Sequence, residues 1–205
     1  MMSGKRILLG VTGSIAAYKA ADILRRLQEK GAEVRVVMTK NASRFVSPLT
    51  FEALTGLPAL VDEFGEGERG RIGHIACTDN IDLCLVAPAT ANIIGKVASG
   101  IADDTLTSTI MALGCPLVMA PAMNDRMYRN PVLQKNILTL KSHGVVFIEP
   151  ETGHLACGAT GQGRLAETDR IVQEVCSRFQ LTNDLAGLTV LVTAGPTREY
   201  IDPVR

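Results

Sequence analysis

The stretch KRILLGVTGSIAAYKAADILRRLQEKGAEVRVVMT, residues 5–39, decides the fold of this chain. It begins with an apolar run at Lys5–Val11 that predicts a strand, and Ser14–Lys30 then repeats apolar residues at helical spacing. Gly31 stands where a helix commonly ends in a left-handed conformation, and Glu33–Thr39 is a second apolar run. A strand, a helix and a second strand in this order predict a right-handed βαβ unit with parallel strands.

The same alternation continues along the rest of the chain. Further strands are predicted at Asp82–Ala87, Pro116–Ala120 and Val145–Ile148. Helices are predicted at Pro48–Leu54, Asn92–Ser99, Asp104–Leu113, Pro131–His143 and Thr168–Phe179. Strands that alternate with helices form parallel sheets covered on both faces. The sequence therefore predicts an α/β fold, a Rossmann-like (flavodoxin-like) open parallel sheet with helices on both faces.

The overall composition narrows the classes of function. The 205 residues include 21 Lys+Arg and 21 Asp+Glu, so the formal net charge is zero. A chain without excess positive charge is not expected to bind nucleic acid. Hydrophobic residues make up 46% of the chain, but its two most apolar stretches, residues 83–102 and 113–123, are interrupted by polar side chains or too short to span a membrane. We therefore expect neither nucleic acid nor membrane as a partner.

Cysteine usage and the N-terminus predict the compartment. The 5 cysteines form no CxxC pair, which predicts neither a metal site nor a disulfide framework. The basic and apolar start superficially resembles a signal peptide, but the charged residues at 19–26 continue the helical pattern without a break. These observations predict a reducing, cytoplasmic setting.

The turn after the first predicted strand is a candidate site for an anion, because ligands of such folds bind beyond the carboxyl ends of the strands. Gly13 permits close backbone approach, Ser14 offers a hydroxyl, and a helix start favours phosphate. The turn lacks the GxGxxG pattern of dinucleotide binding, and Thr39 ends the second strand where that class has an acidic residue. An ordinary capped helix is the alternative interpretation.

Two later strand ends carry polar residues among small or apolar ones. Ala87–Asn92 places one hydroxyl and one amide at a predicted helix start, which suits the edge of a planar ring or a phosphate, or else an ordinary N-cap. Asn124 lies between Met123 and Met127 after the fourth strand. An asparagine amide can bind a carboxylate or an amide, and methionines pack against flat or flexible ligands.

Two further segments hold residues able to transfer protons. His74 lies ahead of the third strand and is a candidate acid or base, although a solitary histidine is often structural. Gly153–Arg164 contains four glycines, which predicts a mobile loop. Cys157 stands between those glycines, where a core residue is not expected, and is therefore interpreted as a thiol delivered by a flap.

Taken together, these segments resemble the flavin-dependent cysteine decarboxylases, and among them the phosphopantothenoylcysteine decarboxylases of coenzyme A biosynthesis. The resemblance rests on GVTGSIAAYK at residues 10–19, GHI at 73–75, APATAN at 87–92, PAMNDRMY at 121–128 and ACGATGQGRL at 156–165. The tail VLVTAGPTREYIDPVR at 190–205 resembles the opening of the phosphopantothenate–cysteine ligase domain that follows the decarboxylase in bacterial fusions.

This resemblance implies a division of the chain and an activity. It implies a decarboxylase domain at 1–180, a linker at 181–187 and the truncated start of a ligase domain at 188–205. The implied reaction is FMN-dependent decarboxylation of 4′-phosphopantothenoylcysteine to 4′-phosphopantetheine, through thiol oxidation, CO₂ loss and re-reduction. Ligase activity is expected of a full-length protein and not of this fragment. A homo-oligomer, a trimer or a dodecamer with flavin sites between subunits, is also implied.

The resemblance also assigns site residues by their positions in the matching motifs. The implied catalytic residues are His74 near the site of decarboxylation, Asn124 orienting the substrate carboxylate and amide, and Cys157 supplying the final proton. The implied FMN-binding residues are Gly13, Ser14, Ile15, Ala16, Thr39, Pro88, Ala89, Thr90, Ala91 and Asn92. The implied substrate-binding residues are Met123, Met127, Ala156, Gly158, Gly161, Gly163 and Arg164.

Three rival interpretations follow from the same sequence. A nicotinamide-dependent oxidoreductase on a Rossmann sheet would share the alternation of strands and helices, but the missing GxGxxG and the position of Thr39 disfavour it. A catalytically silent flavin-binding regulatory subunit would share the fold, but the candidate residues His74, Asn124 and Cys157 argue against it. The related flavin prenyltransferases lack the cysteine flap.

Overall fold

The centre of the molecule is a five-stranded parallel sheet. The computed structural model describes residues 2–62, 78–154, 158, 160–179, 188, 189, 191 and 195. The strands of the sheet are β1 (Arg6–Val11), β2 (Glu33–Met38), β3 (Leu83–Ala89), β4 (Leu117–Pro121) and β5 (Val146–Phe147). In space they follow the order β2-β1-β3-β4-β5, which is the flavodoxin-like arrangement of a doubly wound sheet. The predicted fold class is confirmed.

Helices connect these strands and cover both faces of the sheet. They are α1 (Lys19–Glu29), α2 (Pro48–Thr55), α3 (Ala91–Ala98), α4 (Thr105–Met111), α5 (Asp125–Tyr128), α6 (Pro131–Ser142) and α7 (Thr168–Ser177). The first predicted helix is divided, because a 3-10 turn at Ile15–Tyr18 precedes α1. A second 3-10 turn, Ala42–Arg44, lies between β2 and α2. None of the described helices is long and apolar enough to cross a membrane.

The core has two parts, one on each face of the sheet. Ile7, Leu9 and Val11 of β1 pack into the cluster that includes the buried residues of α1 and α7. Leu8 of the same strand faces the opposite cluster, which includes residues of α3, α4 and α6. Burial of one such side chain contributes about 1.5–3 kcal/mol. Because both faces are apolar, the strand shows a continuous hydrophobic run rather than an alternating one.

An antiparallel pair of strands outside the main sheet corrects one prediction. β6 (Glu151–His154) and β7 (Thr160–Arg164) pair with each other, whereas the sequence predicted a glycine-rich loop over 153–164. That prediction is wrong for both ends of the segment. The alternation of apolar and polar residues that indicates a strand is missing here, because Gly153, Gly161 and Gly163 carry no side chain. The predicted linker at 181–187 lies outside the described residues, and the division into domains stays a prediction.

Candidate active site

The carboxyl ends of the parallel strands open on a cavity of about 840 Å³. This is the edge at which open α/β sheets bind their ligands. Its wall is formed by residues that follow β1, β2, β3 and β4, together with the end of β7. The lining residues are 12–16, 18, 19, 39–41, 90–93, 96, 104, 122–124, 127 and 163–165.

Gly13 allows the turn after β1 to lie directly against the segment after β2. A Cβ atom at this position would lie 2.5 Å from Cβ of Asn41 and 3.1 Å from its backbone carbon. No side chain fits there without moving the backbone of Asn41. The next residue, Ser14, caps the 3-10 turn, because its hydroxyl oxygen accepts a hydrogen bond from the Ala16 N–H at 3.3 Å. The close contact that Gly13 permits is therefore with Asn41, and anion binding at this turn stays a prediction.

Thr12 connects the ends of β1 and β3 beneath the cavity. Its buried hydroxyl donates to the Pro88 carbonyl at 2.7 Å and accepts from the Thr90 N–H at 3.1 Å. Pro88 and Ala89, both predicted to bind the cofactor, are buried in β3 and do not line the described wall. Thr90 does line it, and its hydroxyl caps α3 by accepting from the Ile93 N–H at 3.5 Å.

The cavity wall carries hydroxyl groups that can each donate one more hydrogen bond. Thr39 accepts from the Ala42 N–H at 3.2 Å, as Ser14 and Thr90 accept from their own helix starts. A hydroxyl that accepts from a backbone N–H keeps its own hydrogen for another acceptor. These three side chains can therefore accept hydrogen bonds from the starts of helical turns and still donate to the oxygens of a ligand.

The segment after β4 brings Asn124 and two methionines to the opposite side of the cavity. The Oδ1 atom of Asn124 accepts from the Arg126 N–H at 2.9 Å and caps α5, a short helix that the sequence did not predict. This bond fixes the orientation of the Asn124 side chain. Met123 and Met127 also line the cavity, and Met127 is 49% exposed.

Strand β7 lies against the same segment because two of its residues are glycines. A Cβ at Gly163, whose φ is +150°, would lie 2.2 Å from the Met123 carbonyl oxygen. A Cβ at Gly161 would lie 2.6 Å from Cβ of Asp125. Gly163 and Arg164 reach the described cavity wall, whereas Gly158 and Gly161 do not. The geometry thus gives Gly161 and Gly163 a packing role that the motif alone did not indicate.

Each cation on the described wall has a carboxylate partner. Lys96 Nζ lies 2.6 Å from Asp103 Oδ1 and 2.8 Å from Asp104 Oδ2, and these hydrogen bonds raise the pKa of Lys96. Burial would raise the pKa of Asp104, but its hydrogen bonds with Lys96 and Thr107 outweigh burial and hold that pKa below its usual range. The other wall cations pair likewise: Lys19 and Arg164 with Glu167, and Lys40 with Asp62.

The structure thus brings together one of the three predicted catalytic residues and most of the predicted cofactor site. Asn124 shares the wall with Gly13, Ser14, Ile15, Ala16, Thr39, Thr90, Ala91 and Asn92. His74, Ala156 and Cys157 lie outside the described residues. Sequence reasoning missed Thr12, Tyr18, Asn41, Lys96 and Asp104 on the wall, although Asn41 follows a strand end closely enough to have been found.

An open parallel sheet in this order, with hydroxyls and helix starts around a cavity at its carboxyl edge, is typical of α/β proteins that bind phosphate-bearing cofactors. The family model described as Flavoprotein matches residues 1–180, and the chain belongs to the flavoprotein family. The model described as DNA/pantothenate metabolism flavoprotein C-terminal domain matches residues 185–205.

Curated relatives cover the whole chain. The coenzyme A biosynthesis bifunctional protein CoaBC of Bacillus subtilis is 49% identical over 207 residues, which are 100% of this chain and 51% of that protein. The protein of the same name from Escherichia coli strain K12 is 42% identical over 204 residues, 100% of this chain and 50% of that protein. The chain therefore spans about half the length of the curated relatives that it matches.

Solved structures with the same fold include several decarboxylases. A cysteine-to-serine mutant of PPC decarboxylase complexed with pantothenoylaminoethenethiol is 33% identical, with a TM-score of 0.76, over 86% of this chain and 98% of that one. The FMN-dependent cysteine decarboxylase SpaF is 32% identical, with a TM-score of 0.73, over 86% of this chain and 99% of that one. The resemblance predicted from the sequence motifs is confirmed.

Proposed function

We propose that this chain catalyses the FMN-dependent decarboxylation of 4′-phosphopantothenoylcysteine to 4′-phosphopantetheine. The observation that carries this proposal is the cavity at the carboxyl edge of the sheet, where most of the predicted cofactor residues share one wall with Asn124. Similarity over 98% of a solved PPC decarboxylase supports the assignment of this reaction to the half of the relatives' length that this chain matches. The remaining half of the relatives' length would hold the ligase activity.

The residues on the cavity wall fit FMN in size and chemistry. A volume of about 840 Å³ accommodates a flavin together with a substrate. The turn at 13–16 and the Ser14 hydroxyl would hold the phosphate. Gly13 leaves the backbone of this turn uncovered by a side chain, and the turn leads into the N–H groups of a helical start. Thr39, Thr90 and Asn92 would bind polar atoms of the sugar-like chain or the ring edge.

The chemistry that FMN supplies when bound is reversible acceptance of two electrons from the substrate thiol, which makes CO₂ loss possible. Asn124 would orient the substrate. Its oxygen is bonded to the Arg126 N–H, so its amide nitrogen is the group that would donate to the substrate carboxylate. Met123 and Met127 would pack against the substrate's flexible chain and exclude water from the carboxylate.

His74 and Cys157 are proposed to complete the site from segments outside the described residues. His74 would act near the carboxylate that is lost, and Cys157 would supply the last proton to the product carbon. The proposal for Cys157 is supported by the solved complex of a cysteine-to-serine PPC decarboxylase with pantothenoylaminoethenethiol. We expect Cys157→Ser to stop after CO₂ loss and to release an oxidised enethiol.

A homo-oligomer, a trimer or a dodecamer with the flavin site between subunits, is also proposed. Ile15, Tyr18 and Met127 line the cavity and are nevertheless 61%, 63% and 49% exposed in the single chain. Large apolar side chains around the mouth of a ligand cavity are a surface that a second subunit would cover. The subunit contact would then complete the site rather than lie apart from it.

The direct test uses the purified chain reconstituted with FMN and incubated with phosphopantothenoylcysteine under reducing conditions. We expect the protein to retain FMN through gel filtration and mass spectrometry to detect a product lighter than the substrate by one CO₂. Retained FMN with unchanged substrate would favour the silent flavin-binding subunit. A colourless protein that binds NAD would favour the nicotinamide-dependent oxidoreductase, which the similarity to flavoproteins disfavours.

A further inference from the structure

Asp125 connects two segments that are far apart in the sequence. Its Oδ1 atom accepts a hydrogen bond from the backbone N–H of Gln162 in β7 at 3.0 Å. The same oxygen accepts from Nε of Arg129, one turn further along, at 2.8 Å. Asp125 is the first residue of α5 and directly follows Asn124. One carboxylate thus joins the substrate-orienting segment to the strand that ends on the cavity wall.

The irregular pairing of β6 and β7 explains why Gln162 turns its N–H towards a carboxylate. Glu151 pairs with Arg164 and Thr152 pairs with Gln162, so Gly163 is an extra residue on β7. A bulge of this kind interrupts the ladder of hydrogen bonds and directs backbone groups elsewhere. The Gly163 carbonyl accepts from the Met123 N–H at 2.9 Å, on the other side of Asn124.

We propose that Asp125 is a positioning residue that clamps β7 to the segment 123–125. Asn124 then lies between two fixed points, the Met123–Gly163 bond and the Asp125–Gln162 bond. The clamp sets the distance between Asn124 and the part of the wall formed by Gly163 and Arg164. Its kinetic consequence rests on the proposed function, whereas its structural consequence does not.

The chain offers variants that separate the clamp from the neighbouring ion pair. Asp125→Ala removes the acceptor, and Asp125→Asn keeps an oxygen for the Gln162 N–H but loses the charge beside Arg129. Arg129→Gln removes the exposed ion pair and leaves the Asp125 carboxylate in place. Asp125→Glu keeps the charge but moves the oxygen by one methylene group, so it serves if the alanine variant does not fold.

Hydrogen–deuterium exchange of the FMN-loaded protein tests the clamp without any substrate. We expect the peptide that covers residues 160–165 to exchange on the order of tenfold faster in Asp125→Ala, because the Gln162 N–H loses its acceptor oxygen. Asp125→Glu should exchange faster as well, while Asp125→Asn and Arg129→Gln should match the unmodified protein. Unchanged protection in both Asp125→Ala and Asp125→Glu would overturn the proposal.

Steady-state kinetics then test what the clamp does for the reaction. We expect Asp125→Ala to lower kcat/KM for phosphopantothenoylcysteine about tenfold through a higher KM, with Asp125→Asn restoring it and FMN affinity unchanged. A general loss of folding would instead reduce FMN binding and would not be restored by asparagine. If exchange changes as expected and no variant decarboxylates the substrate, the clamp stands and the proposed function fails.

Discussion

Single residues at this site form local hydrogen bonds and also line the cavity. Asn124 uses its oxygen to cap α5 and also lines the cavity. Ser14, Thr39 and Thr90 accept from helix starts and keep a hydrogen to donate. The sequence predicted a cap or a ligand role for the turn with Ser14 and for Thr90, and the geometry makes the two roles compatible.

Asn124→Asp separates the two roles of this asparagine. Aspartate caps a helix as well as asparagine does, so we expect the free energy of unfolding to change by less than about 0.5 kcal/mol. The added negative charge would repel the substrate carboxylate. If the pair is desolvated, we expect kcat/KM to fall by the equivalent of about 2–5 kcal/mol of transition-state stabilisation. Asn130→Asp is the matched control, because Asn130 caps α6 in the same way through the Val132 N–H. Equal activity of the two variants would contradict the role of Asn124.

Gly13→Ala tests the contact between the turn after β1 and Asn41. The new methyl group would meet Cβ of Asn41 at 2.5 Å, so we expect a loss of about 1–3 kcal/mol in the free energy of unfolding and weaker FMN binding. Urea denaturation and ultrafiltration of bound FMN measure the two effects. Gly114→Ala is the control, because nothing lies within 4 Å of a Cβ there. Normal FMN retention by Gly13→Ala would show that the turn does not hold the cofactor.

Among the elements, strong periodicity decided what could be predicted from the sequence. The five strands of the sheet were found because each is an apolar run bounded by turn residues, and helices such as α6 were found because asparagine and proline mark their starts. The pair β6–β7 was missed because it lacks apolar alternation and because its contacts, with the Met123 N–H and the Asp125 carboxylate, are to residues remote in sequence. The local sequence of β6 and β7 does not indicate that they contact residues 123–125.

Helix α4 is capped by Asp104, whose carboxylate forms an ion pair with Lys96. The Asp104 side chain accepts from the Thr107 N–H at 2.9 Å and bonds Lys96, so its pKa is lower in the folded than in the unfolded chain. A lowered pKa contributes stability above the unfolded value of 3.8, and that stability is lost as the pH falls through the folded value.

Asp104→Asn should therefore flatten the acid side of the stability curve. Asparagine keeps the cap but cannot titrate, so between about pH 5 and pH 3 the variant should lose less free energy of unfolding than the unmodified chain. Asp104→Ala should in addition lose about 1 kcal/mol at neutral pH with the cap itself. Urea denaturation across this range measures both effects. Parallel curves for the unmodified chain and Asp104→Asn would contradict the account of Asp104.

At the scale of the whole molecule, the fold and the position of the candidate site could be predicted from the sequence. The contacts that surround the site could not. The order of strands placed Thr12, Thr39, Thr90 and Asn124 at one edge of the sheet, as the rule for parallel strands predicts. The ion pairs of the wall cations depend on three-dimensional contacts, and so does the exposure of Ile15, Tyr18 and Met127 at the mouth of the cavity. Those contacts join residues as distant as Lys19 and Glu167 and were beyond reach of any local pattern.

A site shared between subunits makes cofactor binding depend on protein concentration. We expect the chain to form a homo-oligomer in solution and to release FMN when it is diluted enough to dissociate. Mass photometry and ultrafiltration at a series of concentrations measure the mass and the bound fraction together. If the mass falls to that of one chain while FMN remains bound, the site is complete within a single subunit.

The pairing of every wall cation on the described part of the chain has a consequence for selectivity among anions. Because the cations on the described wall are paired, we expect the capture of a dianion to depend on diffusion and fit more than on long-range attraction. Raising the ionic strength should then scarcely alter the association rate. Abundant inorganic anions would compete poorly here, since they match the charge of the ligand's phosphate but none of its shape.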